Sequence, residues 1–263
     1  MTQPFRQITI IGLGLIGGSI AKCLKQSDPS ILIASIPYKD QSPKCIDRVF
    51  SSLQEVLEWS DLIILATPLS SILPIAHQIK CLKIPPFNKK TIAIDVGSVK
   101  GKICADFERL TDPHIEFVST HPMAGKEQWG FESSDPSLFQ EASWIITPHA
   151  KNQMSTIESV STFIEALGGK STILTPEDHD RQTALISHFP AVLSRALLAF
   201  VEEKDPQALR IAGPGFKSMT RLAKDNPQLY EEIASFNADH LHQLMNEWID
   251  FLTKNKDKYE RLP

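Results

Sequence analysis

The chain has few cysteines and no pairing pattern among them. Four stand far apart in the sequence, with no Cys-x-x-Cys and no flanking histidines: Cys23, Cys45, Cys81 and Cys104. This spacing argues against a zinc site and gives no disulfide framework. We therefore expect free thiols in a reducing cytoplasm and predict no metal site.

Strong charge of one sign and long apolar runs are also missing. The formal net charge is −4, from 27 Lys and Arg against 31 Asp and Glu. No basic run is interleaved with aromatic residues, so no nucleic-acid partner is predicted. No apolar run approaches the ~18 residues of a membrane span, and the N-terminal residues lead into a strand without a signal-peptide pattern. The sequence predicts a cytoplasmic protein without a membrane partner.

Short apolar runs instead alternate with helical stretches over the first two thirds of the chain. Strands are predicted at Ile8–Ile11, Ile31–Ala34, Leu62–Ala66, Thr91–Val96, Ile115–Val118, Ser143–Thr147 and Ser171–Leu174. This alternation of strands and helices predicts an α/β fold, with a Rossmann-type, doubly wound, mostly parallel sheet over residues 1–174. Beyond Thr175 only helical periodicity is visible, which predicts a smaller all-α domain over residues 175–263.

The helical domain carries more apolar surface than it can easily bury alone. One stripe marks a single long helix: Ile233, Phe236, His240, Leu244, Trp248 and Phe251. A second subunit could bury this apolar surface, so we expect a homodimer through this domain. Pro190 is predicted to kink or restart an earlier helix, and the residues after Thr253 are predicted to form a solvated tail.

A glycine-rich turn follows the first predicted strand. Gly12, Gly14 and Gly17 have G-x-G-x-x-G spacing, and apolar residues then recur at helical period. In this context the first glycine permits a tight turn, the second lets the backbone approach a pyrophosphate, and the third lets helix and strand pack closely. We therefore assign the turn, with Leu15 and Ile16 at the helix start, to dinucleotide binding.

The acid that commonly binds the ribose 2′-hydroxyl at the end of the second strand is missing. Ser35 stands there, roughly 20 residues beyond the turn, and Lys39 follows it. A carboxylate would repel a 2′-phosphate, whereas a hydroxyl and an ammonium could bind one. The sequence therefore favours NADP and leaves NAD possible; alternatively, Lys39 is an ordinary solvated lysine.

Polar residues also follow two later strands. Thr67 and Pro68 end one strand and are assigned to the nucleotide site, because ligands bind at the carboxyl ends of strands in such sheets. Ser98, within Asp95-Val-Gly-Ser-Val-Lys100, follows another and is a candidate for cofactor binding and catalysis. The alternative for Ser98 is a plain helix N-cap.

His121 is the candidate catalytic base. It precedes Pro122, which holds it extended, and it begins a long glycine-punctuated loop of the kind that is commonly functional. An imidazole, with an ordinary pKa of about 6.5, suits a general base at neutral pH. Glu127 in the same loop is either a partner for a substrate ammonium or an exposed glutamate.

The helical domain adds three candidates. His188 lies shortly before Pro190, where a helix backbone opens. Lys217 and Arg221 have i, i+4 spacing, which would place them on one helix face. Two cations there could bind a carboxylate, or they could form an ordinary solvated edge.

Together these motifs resemble the prephenate/arogenate dehydrogenases of tyrosine biosynthesis. The resemblance runs in order from about Ile8 to Asn237 and rests on G-L-G-L-I-G-G-S, D-V-G-S-V-K, H-P-M-A-G, H-D-R-x-x-A-L-I-S-H-F-P and G-F-K-x-M-T-R-L-A. It implies an N-terminal Rossmann domain and a C-terminal helical dimerisation domain. It also implies oxidative decarboxylation of a cyclohexadienol to a 4-hydroxyphenyl product.

For that chemistry, His121 would accept the proton of the ring hydroxyl, and Ser98 would orient the hydroxyl and the nicotinamide. His188 would hold the ring end of the substrate from the helical domain. Arg221 would bind a substrate carboxylate through two hydrogen bonds, with Lys217 in support.

The departures from the family pattern concern substrate choice. Ala191 stands where many members have a histidine, which removes one donor for the keto acid of prephenate. With Glu127 as a possible ammonium partner, this favours arogenate. The length suggests no fused mutase or regulatory domain, so any inhibition by tyrosine is expected at the active site.

Two other functions remain open at this stage. Another β-hydroxyacid-type dehydrogenase would share the Rossmann half but usually relies on a catalytic lysine, for which Lys217 is the one comparable candidate. A non-catalytic NADP-sensing regulator would share the turn but would need neither His121 nor His188.

Overall fold

The chain divides into two compact units. The computed structural model describes residues 3–36, 43–82, 90–110 and 112–260. The first unit extends through His179 and the second begins at Asp180. The boundary predicted between residues 174 and 175 stays a prediction, and Lys39 lies outside the described residues.

The first unit contains one eight-stranded sheet in the order β3-β2-β1-β4-β5-β6-β7-β8. Its strands are β1 Gln7–Ile11, β2 Leu32–Ser35, β3 Arg48–Val49, β4 Leu62–Leu65, β5 Thr91–Asp95, β6 Ile115–Pro122, β7 Ser143–Thr147 and β8 Lys170–Ile173. Every neighbouring pair is parallel except β6 and β7. The predicted α/β fold with a mostly parallel sheet is therefore confirmed.

Helices connect these strands in the manner of a doubly wound sheet. They are α1 Leu15–Ser27, α2 Leu53–Trp59, α3 Leu69–Cys81, α4 Gly101–Arg109 and α5 Met154–Ala166, with a 3₁₀ turn at Phe131–Ser133. Ser52 begins α2 through a capping box, since its hydroxyl accepts from the Glu55 amide and the Glu55 carboxylate accepts from the Ser52 amide.

The core of this unit lies where α1 and α5 pack on the sheet. Ile8 and Ile10 of β1, Ile20 of α1 and Phe163 of α5 are all fully buried within one apolar cluster. Burying such side chains contributes roughly 1.5–3 kcal/mol each. The apolar strand pattern thus fixes the central strands, whose carboxyl ends then share one edge.

Strand β6 is longer than predicted. Residues Ile115–Val118 pair in parallel with β5, and Ser119–Pro122 continue antiparallel to β7. His121 therefore lies within a strand, opposite Ile145, and not in the loop that follows it. The pairing with β7, which pattern alone did not show, extends the strand.

The second unit is helical, and no strand occurs in its described part. Its helices are α6 Pro176–Thr183, which begins in the first unit, then α7 Phe189–Lys204, α8 Pro214–Met219, α9 Pro227–Phe236, α10 Ala238–Lys254 and α11 Lys256–Glu260. A π-helical turn, Ala184–His188, joins α6 to α7, and 3₁₀ turns occupy Pro206–Ile211 and Arg221–Lys224. The π turn accommodates Pro190, which cannot donate a helical hydrogen bond.

One prediction about the C-terminal region was wrong, and a second was incomplete. The single long helix is split at Asn237, whose φ of −123° and ψ of 31° separate α9 from α10. The described residues after Thr253 are mostly exposed, as a solvated tail should be, but they are helical and not irregular. In α11, Lys256 and Glu260 pair at i, i+4 with 3.5 Å between their charged atoms.

The expectation that no apolar run approaches membrane-span length was also wrong. By length and composition alone, the helical run Pro176–Lys204 is long and apolar enough to cross a membrane. Core helices of soluble proteins pass the same test. Two polar side chains of this run bind neighbours within the second unit. Ser194 Oγ accepts from the Ala223 amide at 3.1 Å, and Arg195 Nη2 donates to the Asp225 carbonyl at 3.0 Å.

The cysteines are free thiols in differing environments. Cys23 and Cys104 are buried, Cys45 is half-buried and Cys81 is exposed. Burial raises the pKa of the Cys23 and Cys104 thiols, which keeps them protonated and unreactive near neutral pH.

Candidate active site

The glycine turn between β1 and α1 is closed at its first and last glycines and open at the middle one. Gly12 has φ of +103°, and a Cβ there would lie 2.3 Å from the Ala66 carbonyl oxygen. A Cβ on Gly17 would lie 2.1 Å from the Gly12 carbonyl oxygen, whereas one on Gly14 would meet nothing within 4 Å. The helix that begins at Leu15 presents its first amide groups on the open side. The turn can therefore accommodate a phosphate group beside Gly14.

Two buried hydroxyls stand just beyond the carboxyl ends of adjacent strands. Thr67 follows β4 and Ser98 follows β5. Among the described residues, neither Thr67 Oγ1 nor Ser98 Oγ has a hydrogen-bond partner. The N-cap of α4 is Lys100, so the alternative that Ser98 is a plain N-cap is wrong. Buried polar atoms without partners are uncommon, and these two hydroxyls can each form a hydrogen bond with a ligand.

A buried ion pair fixes the loop that carries Ser98. Asp95 and Lys100 are both fully buried, and the Lys100 ammonium donates to the Asp95 carboxylate. The same carboxylate accepts from the Gly97 amide at 2.8 Å and from Ser119 Oγ at 2.7 Å. A buried carboxylate can stay charged when an opposite charge and hydrogen bonds satisfy its oxygens as they do here. The loop between the two charged residues is therefore held at both ends.

His121 forms a pair with a second histidine. Its Nδ1 lies 2.8 Å from Nε2 of His179, which is fully buried on α6. Which of the two nitrogens donates in this contact depends on the tautomers of the two rings. Sequence analysis missed His179, although it opens the H-D-R motif.

In the second unit, His188 ends the π turn and is 2% exposed. Its Nδ1 lies 3.2 Å from Nδ2 of Asn237, a buried residue whose importance the sequence did not reveal. An asparagine interrupting an apolar helical stripe was the available signal. Ala191, one turn farther along, is 1% exposed.

Lys217 and Arg221 do not share a helix. The helix α8 ends at Met219, where the Thr220 hydroxyl donates back to the Phe216 carbonyl at 2.9 Å, and Arg221 begins a separate 3₁₀ turn. The i, i+4 argument for a shared helix face was therefore wrong. Both cations are exposed.

Three more predicted residues lie at separate positions of the first unit. Ser35 is the last residue of β2 and is 1% exposed, so its backbone lies at the strand end while its side chain is buried. Pro68 is exposed and forms the N-cap of α3 beside Thr67. Glu127 is exposed in the loop after β6.

Comparison with known protein families gives two adjoining matches. Residues 38–173 match the model of the prephenate dehydrogenase nucleotide-binding domain. Residues 175–260 match that of the prephenate dehydrogenase dimerization domain. The two matches correspond to the sheet-containing and helical parts of the chain.

Individual proteins agree with these matches. A prephenate dehydrogenase of Bacillus subtilis is 30% identical over 271 residues, which cover 99% of this chain and 72% of the relative. The structure of Aquifex aeolicus prephenate dehydrogenase with hydroxyphenyl propionate and NAD⁺ superposes with a TM-score of 0.87 at 27% identity, covering 99% and 93% of the two chains. A Synechocystis arogenate dehydrogenase gives a TM-score of 0.78 at 27% identity, covering 97% and 93%.

Proposed function

The chain belongs to the prephenate dehydrogenase family, and we propose that it catalyses the NAD(P)-dependent oxidative decarboxylation of prephenate or arogenate in tyrosine biosynthesis. The observation that carries this proposal is the buried hydroxyl of Ser98, which has no hydrogen-bond partner among the described residues. It lies at the carboxyl end of β5, one strand away from His121 in β6. A dehydrogenase needs a hydroxyl-orienting group and a base in this part of the sheet.

The first unit fits a dinucleotide. The open face at Gly14 and the start of α1 suit the pyrophosphate. The Thr67 hydroxyl, which has no partner within the described part of the chain, offers a hydrogen bond at the next strand end. When bound, the nicotinamide accepts a hydride from the ring carbon that bears the hydroxyl. We favour NADP because no carboxylate ends β2, where Ser35 stands.

His121 acts as the base in this proposal. Its Nε2 takes the proton of the ring hydroxyl while the same carbon loses its hydride, so the carbon becomes a carbonyl. The ring carboxylate then leaves as carbon dioxide, and the electron pair of the broken bond passes through the ring to the carbonyl oxygen. That oxygen takes a proton back and becomes the phenol of an aromatic product, which makes the overall reaction strongly favourable. Ser98 holds the hydroxyl oxygen and the Asp95–Lys100 pair fixes its loop, so the chain chiefly supplies alignment and one proton acceptor.

Residues of the second unit bind the substrate in this proposal. Arg221 is exposed, and its guanidinium can bind a carboxylate through two parallel hydrogen bonds. Lys217, on a separate element, adds positive charge. His188 donates a hydrogen bond to the ring end of the substrate.

We also propose that the protein is a homodimer. Large apolar side chains of the second unit are half or more exposed: Leu185, Ile186, Phe200, Ile211, Met219 and Ile249. A second copy that covers them would gain roughly 25 cal/mol per Å² of apolar surface. Light scattering after gel filtration is expected to give twice the chain mass of 29.4 kDa. The expected cytoplasmic location stays a prediction.

The function is tested by steady-state kinetics with prephenate, arogenate and simple β-hydroxyacids, each with NADP and with NAD. Turnover of prephenate or arogenate with release of carbon dioxide supports the proposal. Turnover of β-hydroxyacids alone would indicate the other dehydrogenase class. Cofactor binding by calorimetry without turnover of any substrate would indicate a regulator.

Between the two substrates we favour arogenate. Ala191 offers no donor to a keto oxygen, and Glu127 is exposed and could bind an ammonium group. Values of kcat/KM measured with each substrate under saturating NADP decide the question. A higher value for prephenate would reverse the preference.

A further inference from the structure

Asn237 occupies the junction between α9 and α10 but does not cap a helix with its side chain. Asparagine at this position normally accepts a hydrogen bond from a backbone amide in the first helical turn. Here the side chain makes no such bond, although the residue is the N-cap of α10. Asn237 is 3% exposed, so its amide is buried and directed to other partners.

Those partners are three polar groups of the second unit. Asn237 Nδ2 donates to the Asp180 carbonyl oxygen at 3.0 Å and lies 3.2 Å from His188 Nδ1. Asn237 Oδ1 lies 2.9 Å from His240 Nδ1. The carboxamide thus uses both of its hydrogens and its oxygen within the unit.

The Asp180 contact settles which end of the carboxamide is which. A carbonyl oxygen only accepts, so the atom that faces it must be the NH₂ group. The second hydrogen of that group points at His188 Nδ1, which can therefore only accept. By the same reasoning the amide oxygen requires a proton on His240 Nδ1.

We infer that Asn237 is a positioning residue that holds His188 as a neutral imidazole with its proton on Nε2. A proton on Nδ1 would place an N–H group against the amide N–H group. His188 is then a hydrogen-bond donor through Nε2 and not a base. This inference deepens the proposed function, on which its relevance to substrate rests: the substrate atom bound by His188 is an oxygen acceptor, a carboxylate or a carbonyl.

The tautomer can be measured without any assumption about activity. Long-range ¹H–¹⁵N correlation spectra of the ¹⁵N-histidine-labelled full chain, recorded at about pH 8, distinguish the two neutral tautomers, and a His188→Gln variant assigns the resonance. We expect the pattern of an Nε2–H tautomer for His188. An Nδ1–H pattern in the unaltered protein would overturn the inference, even if every variant at residue 237 failed to fold.

The Asn237→Asp variant tests the cause. A carboxylate only accepts, so His188 is expected to move its proton to Nδ1. Asn246→Asp is the matched control, because it makes the same charge change on an exposed position of α10 and is expected to leave the His188 pattern unchanged. A His188 pattern that is unchanged in folded Asn237→Asp would also overturn the inference.

Kinetics connect the tautomer to substrate binding. Asn237→Asp is expected to raise the substrate KM by about 10- to 100-fold, the range for losing one hydrogen bond to a charged group, with the cofactor KM within about twofold. A tautomer that changes without a change in substrate KM would support the action of Asn237 on His188 and contradict the proposed substrate role of His188. The two failures are therefore distinguishable.

Discussion

His121 Nδ1 lies 2.8 Å from Nε2 of His179, and the two rings meet edge to face with centroids 5.1 Å apart. If His121 accepts the substrate proton at Nε2, its Nδ1 must carry a hydrogen and donate a hydrogen bond to Nε2 of His179. A buried acceptor in that place sets the tautomer and the ring orientation of the base. His179 acts in this arrangement through His121 and does not need to touch the substrate.

The first prediction follows from that pair. His179→Ala is expected to lower kcat by roughly 10- to 100-fold, because His121 loses the acceptor that orients it. His179→Gln places an amide oxygen near the lost Nε2 and is expected to restore much of the rate. Both variants are compared by kcat and by thermal melting. Equal rates in the two folded variants would show that the acceptor is not needed.

The second prediction concerns the base itself. His121→Asn is expected to lower kcat by about 10²–10⁴ and to leave cofactor affinity nearly intact, since the proton acceptor is lost while the nucleotide turn is not altered. His77→Asn is the matched control, because His77 is exposed on α3. Near-normal turnover of His121→Asn across the pH range would exclude His121 as the base.

A third prediction compares two serines near Asp95. Ser98 Oγ has no partner among the described residues, whereas Ser119 Oγ donates to the Asp95 carboxylate at 2.7 Å. Ser98→Ala is expected to leave the free energy of unfolding within about 0.5 kcal/mol of its original value and to lower kcat. Ser119→Ala is expected to cost about 1–3 kcal/mol, because it removes a partner from a buried charge. Chemical denaturation measures both, and a large loss of stability in Ser98→Ala would indicate a structural role instead.

The sequence predicted the elements that are set by local chemistry. The glycine spacing located the turn at Gly12 because a positive φ there depends on the residue itself. The short apolar runs located the central strands because burial on both faces leaves a continuous apolar signal. The order of the motifs then indicated the family.

Features set by contacts between distant segments were not predictable in this way. The extension of β6 to Pro122 depends on antiparallel pairing with β7, which begins only at Ser143, after a long intervening loop. The break at Asn237 depends on partners at Asp180 and His188, and the apolar stripe continues through it as though one helix were present.

The fourth prediction concerns the substrate carboxylate. Arg221→Ala is expected to raise the substrate KM by roughly 10- to 100-fold, with kcat changed less, because a charged hydrogen-bond pair is lost in both the bound and the reacting substrate. Arg221→Lys is expected to have a substrate KM between those of the unaltered protein and Arg221→Ala, since an ammonium keeps the charge but cannot make two parallel hydrogen bonds. Arg210→Ala alters another exposed arginine of the second unit and serves as the control. An effect of Arg221→Ala on kcat alone would contradict a binding role.

The last prediction concerns the choice between NADP and NAD. Ser35 ends β2 in the place where a carboxylate would repel a 2′-phosphate, and we expect a higher kcat/KM with NADP. Because the Ser35 side chain is buried, the preference depends more on the missing negative charge than on a bond from this hydroxyl. Ser35→Asp is expected to shift the ratio of the two kcat/KM values toward NAD, whereas Ser35→Ala is expected to leave it nearly unchanged. Preference for NAD by about tenfold in the unaltered protein, or a large effect of Ser35→Ala, would show that another residue sets the choice.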